Sequence, residues 1–215
     1  MTTEPPSILA LACQGVAPLR AGLAVAAGVT FALGAGAALV LRGANGSGKT
    51  SVLRAVAGLC RHEGDVAFTD GAGPVEAGAA RAGATHLLGG GDGLSGRLTP
   101  MEHVRFWSGL YGVPDGGVSG EGVSGVGALA RVGLAGAAGQ PAAALSTGQR
   151  RRLGLARLLM APRPLRLLDE PLSGLDEAGR ALLLRAVADH RAAGGLVLMA
   201  THEDGLPDAT VLRLG

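Results

Sequence analysis

One short segment restricts the fold more than anything else in this chain. Gly43-Ala44-Asn45-Gly46-Ser47-Gly48-Lys49-Thr50 lies between two apolar stretches of different period. The uncharged run Ala37-Ala38-Leu39-Val40-Leu41 precedes it and reads as a buried strand, whereas residues 50–59 place apolar side chains at helical spacing. Strand, glycine loop and helix start, in that order, aim backbone N–H groups at one anion-sized space. The pattern G-x-x-x-x-G-K-T in this context is the phosphate-binding P-loop. With 38 glycines among 215 residues, the glycine spacing alone means little, and the Lys-Thr pair with its flanks carries the information.

Lys49 is also the only lysine, and every other cationic side chain is arginine. A lysine kept among arginines marks a place where a compact ammonium on a flexible stem fits and a planar guanidinium does not. Between phosphate oxygens is such a place.

Composition bounds the remainder. A length of 215 residues suits one domain with room for an insertion. A formal net charge of +2 and only one Trp, one Tyr and three Phe leave no electrostatic or stacking case for nucleic acid. Cys13 and Cys60 lack metal-site or redox spacing and read as reduced thiols. Residues 21–41 contain no charge and are long enough to span a bilayer, but glycines interrupt them and they lead straight into the P-loop. Two strands, Val29 to Leu33 and Ala37 to Leu41, are expected instead of a membrane span. The first residues carry no basic, apolar leader, so a cytoplasmic protein is expected.

Later in the chain, strands and helices alternate. Asp65 to Phe68, Leu165 to Asp169 and Leu196 to Ala200 read as strands. Helices are expected from Pro100 with Thr99 as its cap, over Val126 to Val132, from Gly148 to about Met160, and over Glu177 to Ala193. Such alternation predicts a mostly parallel sheet covered by helices, with chemistry at the C-terminal ends of its strands. Arg166 is awkward in a buried parallel strand and is expected to reach solvent near the open end of the sheet.

The polar residues that follow strands fit that rule. Asp169 and Glu170 end an apolar run, where Asp169 can hold Mg²⁺ together with the Thr50 hydroxyl and Glu170 can take a proton from an attacking water. His202 follows the Leu196 strand and can touch a terminal phosphate. Ser146, Gly148 and Gln149 open a helix that can receive a phosphate, the plainer reading being an ordinary N-cap.

G-x-x-x-x-G-K-T, L-S-x-G-Q, L-L-D-E-P, S-G-L-D and T-H occur in that order, and over essentially the whole chain the sequence resembles the ATP-binding subunits of ABC transporters. The resemblance implies an α/β P-loop NTPase fold with a mostly parallel sheet, a small antiparallel β subdomain and an inserted helical subdomain. Residues 1–73 and 161–215 would form the nucleotide-binding core, and about 74–160 the helical part containing Leu145-Ser146-Thr147-Gly148-Gln149. It further implies ATP and Mg²⁺ as ligands. Lys49 and the loop from Gly43, Ala44, Asn45, Gly46, Ser47 and Gly48 through Thr50 and Ser51 would hold phosphates, with Thr50 and Asp169 as metal ligands. Glu170 would be the base, with Lys49 and His202 at the reacting phosphate. Ser146, Gly148 and Gln149 would contact the nucleotide of a second copy in a head-to-tail dimer, with Asp176 at the dimer contact. Integral-membrane permease subunits would hold the protein at the cytoplasmic face of the bacterial inner membrane, with no span of its own.

Residues 98–107, the helix Leu145 to Leu158 and a chain that stops thirteen residues after His202 are most similar to the haem-exporter ATPase of cytochrome c biogenesis. The remaining alternatives are an ATPase of another ABC exporter, a weakly hydrolysing regulatory subunit, or a soluble ABC-type protein acting on ribosomes or DNA. Two departures from the family stand out. The glutamine or histidine before the helical subdomain aligns with Gly90, with Asp92 two residues away. The aromatic expected near residues 13–20 to stack on adenine is also missing, leaving Val16 or Pro18.

Overall fold

The computed structural model describes residues 8–89, 93–112, 123–203 and 206–215. Two compact units are present. Unit 1 comprises residues up to Leu87, Arg163–Pro171 and Val187–Gly215; unit 2 comprises Leu88–Pro162 and Leu172–Ala186. Among the described residues, no helix is long and apolar enough to cross a membrane.

Unit 1 is built on two sheets. Strands β1 (Ala10–Arg20), β2 (Leu23–Ala24), β3 (Val29–Gly34), β5 (His62–Thr69) and β6 (Pro74–Val75) form the antiparallel one. There β1 pairs with β2, β3 and β5, and it shifts register against both β3 and β5 in the segment between Cys13 and Ala17. The other sheet has the order β10-β4-β9-β8-β7, from β10 (Thr210–Arg213), β4 (Ala38–Arg42), β9 (Leu196–Ala200), β8 (Leu165–Asp169) and β7 (Thr85–Leu88). The pairs β10–β4, β4–β9 and β9–β8 are parallel. All five residues of β8 and all five of β9 are buried, as strands covered on both faces require; β9 is apolar throughout, whereas β8 buries Arg166 and Asp169 among its leucines. Helix α1 (Lys49–Val56) packs against β8 and β9 of one sheet and β1 of the other. It buries Val52, Leu53, Ala55 and Val56 in a core shared with Leu11, Leu41, Phe68, Leu167 and Leu198. This packing fixes the loop between β4 and α1 at the C-terminal end of the parallel strands. Helix α2 (Ala77–Ala84) completes the early part of the unit.

The uncharged stretch 21–41 therefore folds as strands, with β3 and β4 joined through the turn before Ala37, whose N–H bonds the Gly34 carbonyl at 3.0 Å. Arg166 corrects an expectation. It is only 5% exposed, because β8 lies between β9 and β7 inside the sheet and not at an open end. Desolvation pulls its pKa down to about 10. Beside it, burial lowers the His190 imidazole to about 4, with the Arg166 charge acting in the same direction.

Unit 2 contains α3 (Pro100–Tyr111), α4 (Gly125–Arg131) and α5 (Thr147–Met160), which pack on one another. Val104, Trp107, Leu129, Leu153 and Leu158 are buried there. Thr99 starts α3 as expected: its hydroxyl accepts from the Glu102 N–H while Glu102 accepts from the Thr99 N–H. The last long helix, α6 (Glu177–Ala192), begins where the Asp176 carboxylate accepts from the Gly179 N–H at 2.9 Å. Gly90 and Asp92 lie outside the described residues, as does most of the glycine-rich segment before α4.

Candidate active site

The loop from Gly43 to Gly48 has a shape that only its glycines permit. Gly48, the N-cap of α1, has a φ of 93°, and a Cβ there would lie 2.6 Å from the Ala26 Cβ. At Gly43 a Cβ would collide with the Leu214 carbonyl and the Ser47 hydroxyl. Side chains at either position would open the loop. No side chain caps the first turn of α1, so its N–H groups remain available to an anion. The buried Ser47 Oγ likewise has no hydrogen-bond partner. Lys49 is 8% exposed and folds back over the loop, where its ammonium donates to the carbonyls of Gly43 at 2.7 Å and Ala44 at 3.0 Å. A cation, an orphan hydroxyl and uncapped amides around one loop suit a polyphosphate.

Asp169 ends β8 beside this loop. Its Oδ1 accepts from the Thr50 hydroxyl at 2.9 Å, which brings together the two residues predicted to share a metal. Burial pushes the Asp169 carboxyl up from its ordinary value, and the Thr50 hydrogen bond opposes that rise. Two hard oxygen donors suit Mg²⁺, which is commonly held by one or two protein oxygens with phosphate and water supplying the rest. No cluster of three or more His, Cys, Asp or Glu that could hold a metal occurs among the described residues, and such a site needs none.

Glu170 follows at a φ of +46°, and its N–H bonds the Ala200 carbonyl at 2.8 Å, tying the end of β8 to the end of β9. Its Oε2 lies 3.1 Å from Nδ1 of His202, an ion pair when the imidazole is protonated. The strand ends thus bring Thr50 to Asp169 and Glu170 to His202 within unit 1. Arg42, which sequence reasoning overlooked, supports the second pair: its Nη2 donates to the Glu203 carbonyl at 3.4 Å, and the Thr201 hydroxyl accepts from the Glu203 N–H at 3.1 Å. A charged residue ending the apolar strand before Gly43 was the only available signal. Asn45 and Gly46 are exposed on the loop, and Ser51 continues α1.

In unit 2, Ser146 and Gln149 form a reciprocal cap. The Ser146 hydroxyl accepts from the Gln149 N–H at 3.2 Å, and Gln149 Oε1 accepts from the Ser146 N–H at 2.8 Å. Gly148 lies in the same first turn, its Cβ direction 3.8 Å from the Gly174 carbonyl. Arg152 of α5 donates to the Val132 carbonyl at 3.1 Å and lies 3.5 Å from the Asp176 carboxylate. Val16, offered as a contact for a base, belongs instead to the core of unit 1, and Pro18 is buried as well. The register shift in β1 turns this segment inward.

A profile of the ABC transporter family matches residues 26–173, more than half of the chain. The chain belongs to that family. Among curated ABC ATPases it is 45% identical to the cytochrome c biogenesis ATP-binding export protein CcmA of Paramagnetospirillum magneticum, an alignment covering 94% of this chain and 92% of that one. It is also 45% identical to the protein of the same name from Rhodobacter capsulatus, over 95% and 86% of the respective chains. Its fold matches a solved structure described as an ABC transporter ATP-binding protein from Pyrococcus furiosus. The TM-score is 0.77 at 19% identity, over 95% of this chain and 97% of that one. ABC ATPases bind and hydrolyse ATP, and the α/β P-loop fold expected from the sequence is the fold of this family member.

Proposed function

We propose that this chain is the ATP-hydrolysing subunit of an ABC complex that exports or delivers haem in c-type cytochrome biogenesis. The observation that carries the catalytic part is the pairing at the strand ends, Thr50 with Asp169 at 2.9 Å and Glu170 with His202 at 3.1 Å, next to the P-loop. The likeness to the CcmA proteins, sustained over nearly the full length of both chains, supports the choice of pathway.

In this reading Lys49 exchanges its two loop carbonyls for phosphate oxygens of ATP, and the amides from Gly43 through Ser51 surround the β- and γ-phosphates. Thr50 and Asp169 hold Mg²⁺, which when bound neutralises charge on those phosphates. Glu170 takes the proton of the attacking water, and His202 contacts the terminal phosphate while its imidazole positions the Glu170 carboxylate. Ser146, Gly148 and Gln149 contact the ATP of a second copy in a head-to-tail dimer, with Asp176 at the dimer contact. Permease subunits hold the pair at the cytoplasmic face of the inner membrane, and hydrolysis separates it.

Steady-state ATP hydrolysis by the complex with its membrane subunits tests the catalytic half. A Glu170→Gln complex that turned over ATP at the unaltered rate would remove Glu170 from its role. For the pathway, a strain lacking this chain is expected to lose haem-staining c-type cytochromes and regain them on complementation. Normal cytochromes in that strain would point to a different exporter.

A further inference from the structure

The reciprocal cap of Ser146 and Gln149 is local to α5 and does not by itself decide where that helix begins in unit 2. We propose that His103 is a positioning residue for the start of α5. It clasps the segment 95–98, and that segment holds the backbone that enters Ser146. This inference rests on the reading of Ser146, Gly148 and Gln149 as nucleotide contacts.

His103 is the fourth residue of α3 and is 3% exposed. Both of its ring nitrogens are engaged: Nδ1 lies 3.0 Å from the Thr99 carbonyl, and Nε2 accepts from the Ser95 N–H at 3.0 Å. A backbone N–H only donates and a carbonyl only accepts, so the ring proton sits on Nδ1. Trp107, one turn further along α3, packs its ring 5.6 Å from the imidazole. The first bond anchors the ring to its own helix. The second grips the chain before that helix.

From Ser95 the hold passes to the chain in front of α5, entirely within unit 2. The Ser95 carbonyl accepts from the Leu98 N–H at 3.2 Å and closes a turn. The Ala143 N–H donates to the Gly96 carbonyl at 2.9 Å, and the Ala142 N–H donates to the Leu98 carbonyl at 2.8 Å. The Met101 N–H adds a bond to the Ala138 carbonyl at 3.1 Å. Ala142 and Leu145 are buried, and between the 3₁₀ turn Ala142–Ala144 and Ser146 stands only Leu145. So short a connection has no slack, and moving Ala142 and Ala143 moves Ser146. Without the imidazole, water can satisfy the Ser95 N–H but cannot hold it in place. A displacement of about 1 Å in a group that orients a reacting ligand is enough to slow the reaction tenfold or more.

Hydrogen exchange of the full-length protein and ATP turnover of the complex with its membrane subunits test this together. In His103→Ala, amides of residues 93–98 and 142–146 are expected to exchange about tenfold faster, with α4 unchanged. Turnover is expected to fall about tenfold while ADP affinity stays within twofold. His103→Gln, whose amide oxygen can still accept from Ser95, is expected to keep turnover within about threefold. Val104→Ala, which opens the core from the same helix, is expected to lower stability and leave turnover unchanged. Unaltered exchange at 142–146 or unaltered turnover in His103→Ala would overturn the proposal. So would an equal loss of turnover in Val104→Ala or in His103→Gln, or a fall in ADP affinity matching the fall in turnover. Gly148→Asp serves the underlying reading, since it sets a carboxylate where a phosphate would bind. Unaltered turnover in that variant would remove the nucleotide contact at α5, and this inference with it.

Discussion

In unit 1 the Thr50 hydroxyl points at Asp169, Ser47 Oγ has no hydrogen-bond partner, and Lys49 rests on carbonyls that a phosphate can displace. In unit 2 the Ser146 hydroxyl and the Gln149 amide close on each other's backbone and complete the start of α5. Both sets hold small polar side chains at the beginning of a helix, yet one helix start lacks an acceptor and the other supplies its own. Polar groups left short of partners, here Ser47 Oγ and the first-turn N–H groups of α1, cost stability, whereas satisfied groups such as the Ser146–Gln149 cap contribute it. Function and fold are accordingly expected to separate by mutation in unit 1 and to overlap in unit 2.

The largest expected effect is that of Glu170→Gln, which lowers ATP turnover about 10³-fold with no loss of thermal stability. A fall in melting temperature accompanying the loss would break the contrast by making Glu170 structural. Lys49→Arg is expected to reduce turnover between 10²- and 10³-fold while far-UV circular dichroism stays unchanged. Full activity in that variant would mean that a guanidinium fits the loop after all.

His190 sharpens the contrast, because it is a unit 1 group whose polarity is already spent. Its imidazole bonds the Leu196 carbonyl at 3.3 Å, and its pKa of about 4 is below the unfolded value. The unfolded chain then binds more protons between pH 6.5 and 4, so this group's contribution is present above pH 6.5 and is lost as pH falls to 4. The loss amounts to about 2–3 kcal/mol. Denaturant titrations of His190→Gln across that range are expected to show a flatter pH dependence, and an unchanged slope would count against it. In unit 2, Ser146→Ala is expected to cost about 1 kcal/mol of stability, measured without nucleotide. The smallest effect is that of Ser146→Gly, a few tenths of a kcal/mol, because glycine also starts helices well. If both variants reduced ATP turnover alike, the hydroxyl would act on nucleotide beyond its role as a cap.

Much of this was legible in the sequence where one local signal dominated. The runs at Leu165 to Asp169 and Leu196 to Ala200 became β8 and β9 without a residue of error, since burial on both faces leaves a largely apolar record, broken in β8 by Arg166 and ended by Asp169. Strand β5 begins at His62, three residues before its expected start, because its polar first half is set by pairing with Ala17 and Pro18 of β1 and not by its own pattern. Arg166 was misplaced for a similar reason: β8 gained a neighbour, β7, from a segment with no strand signal of its own. The P-loop, Asp169, Glu170 and His202 were visible because each follows a recognisable strand. The support from Arg42 and the contact of Ala26 with Gly48 were not, since both depend on residues distant in sequence.

The backbone of Glu170 has a consequence for how this protein can change. At a φ of +46° a glycine or asparagine would rest more comfortably than glutamate, by about 1 kcal/mol. Selection for folding alone would thus tend to discard Glu170 early. A library enriched only for thermal resistance is expected to accumulate Gly or Asn at position 170 and to grow sturdier as it loses its ATPase.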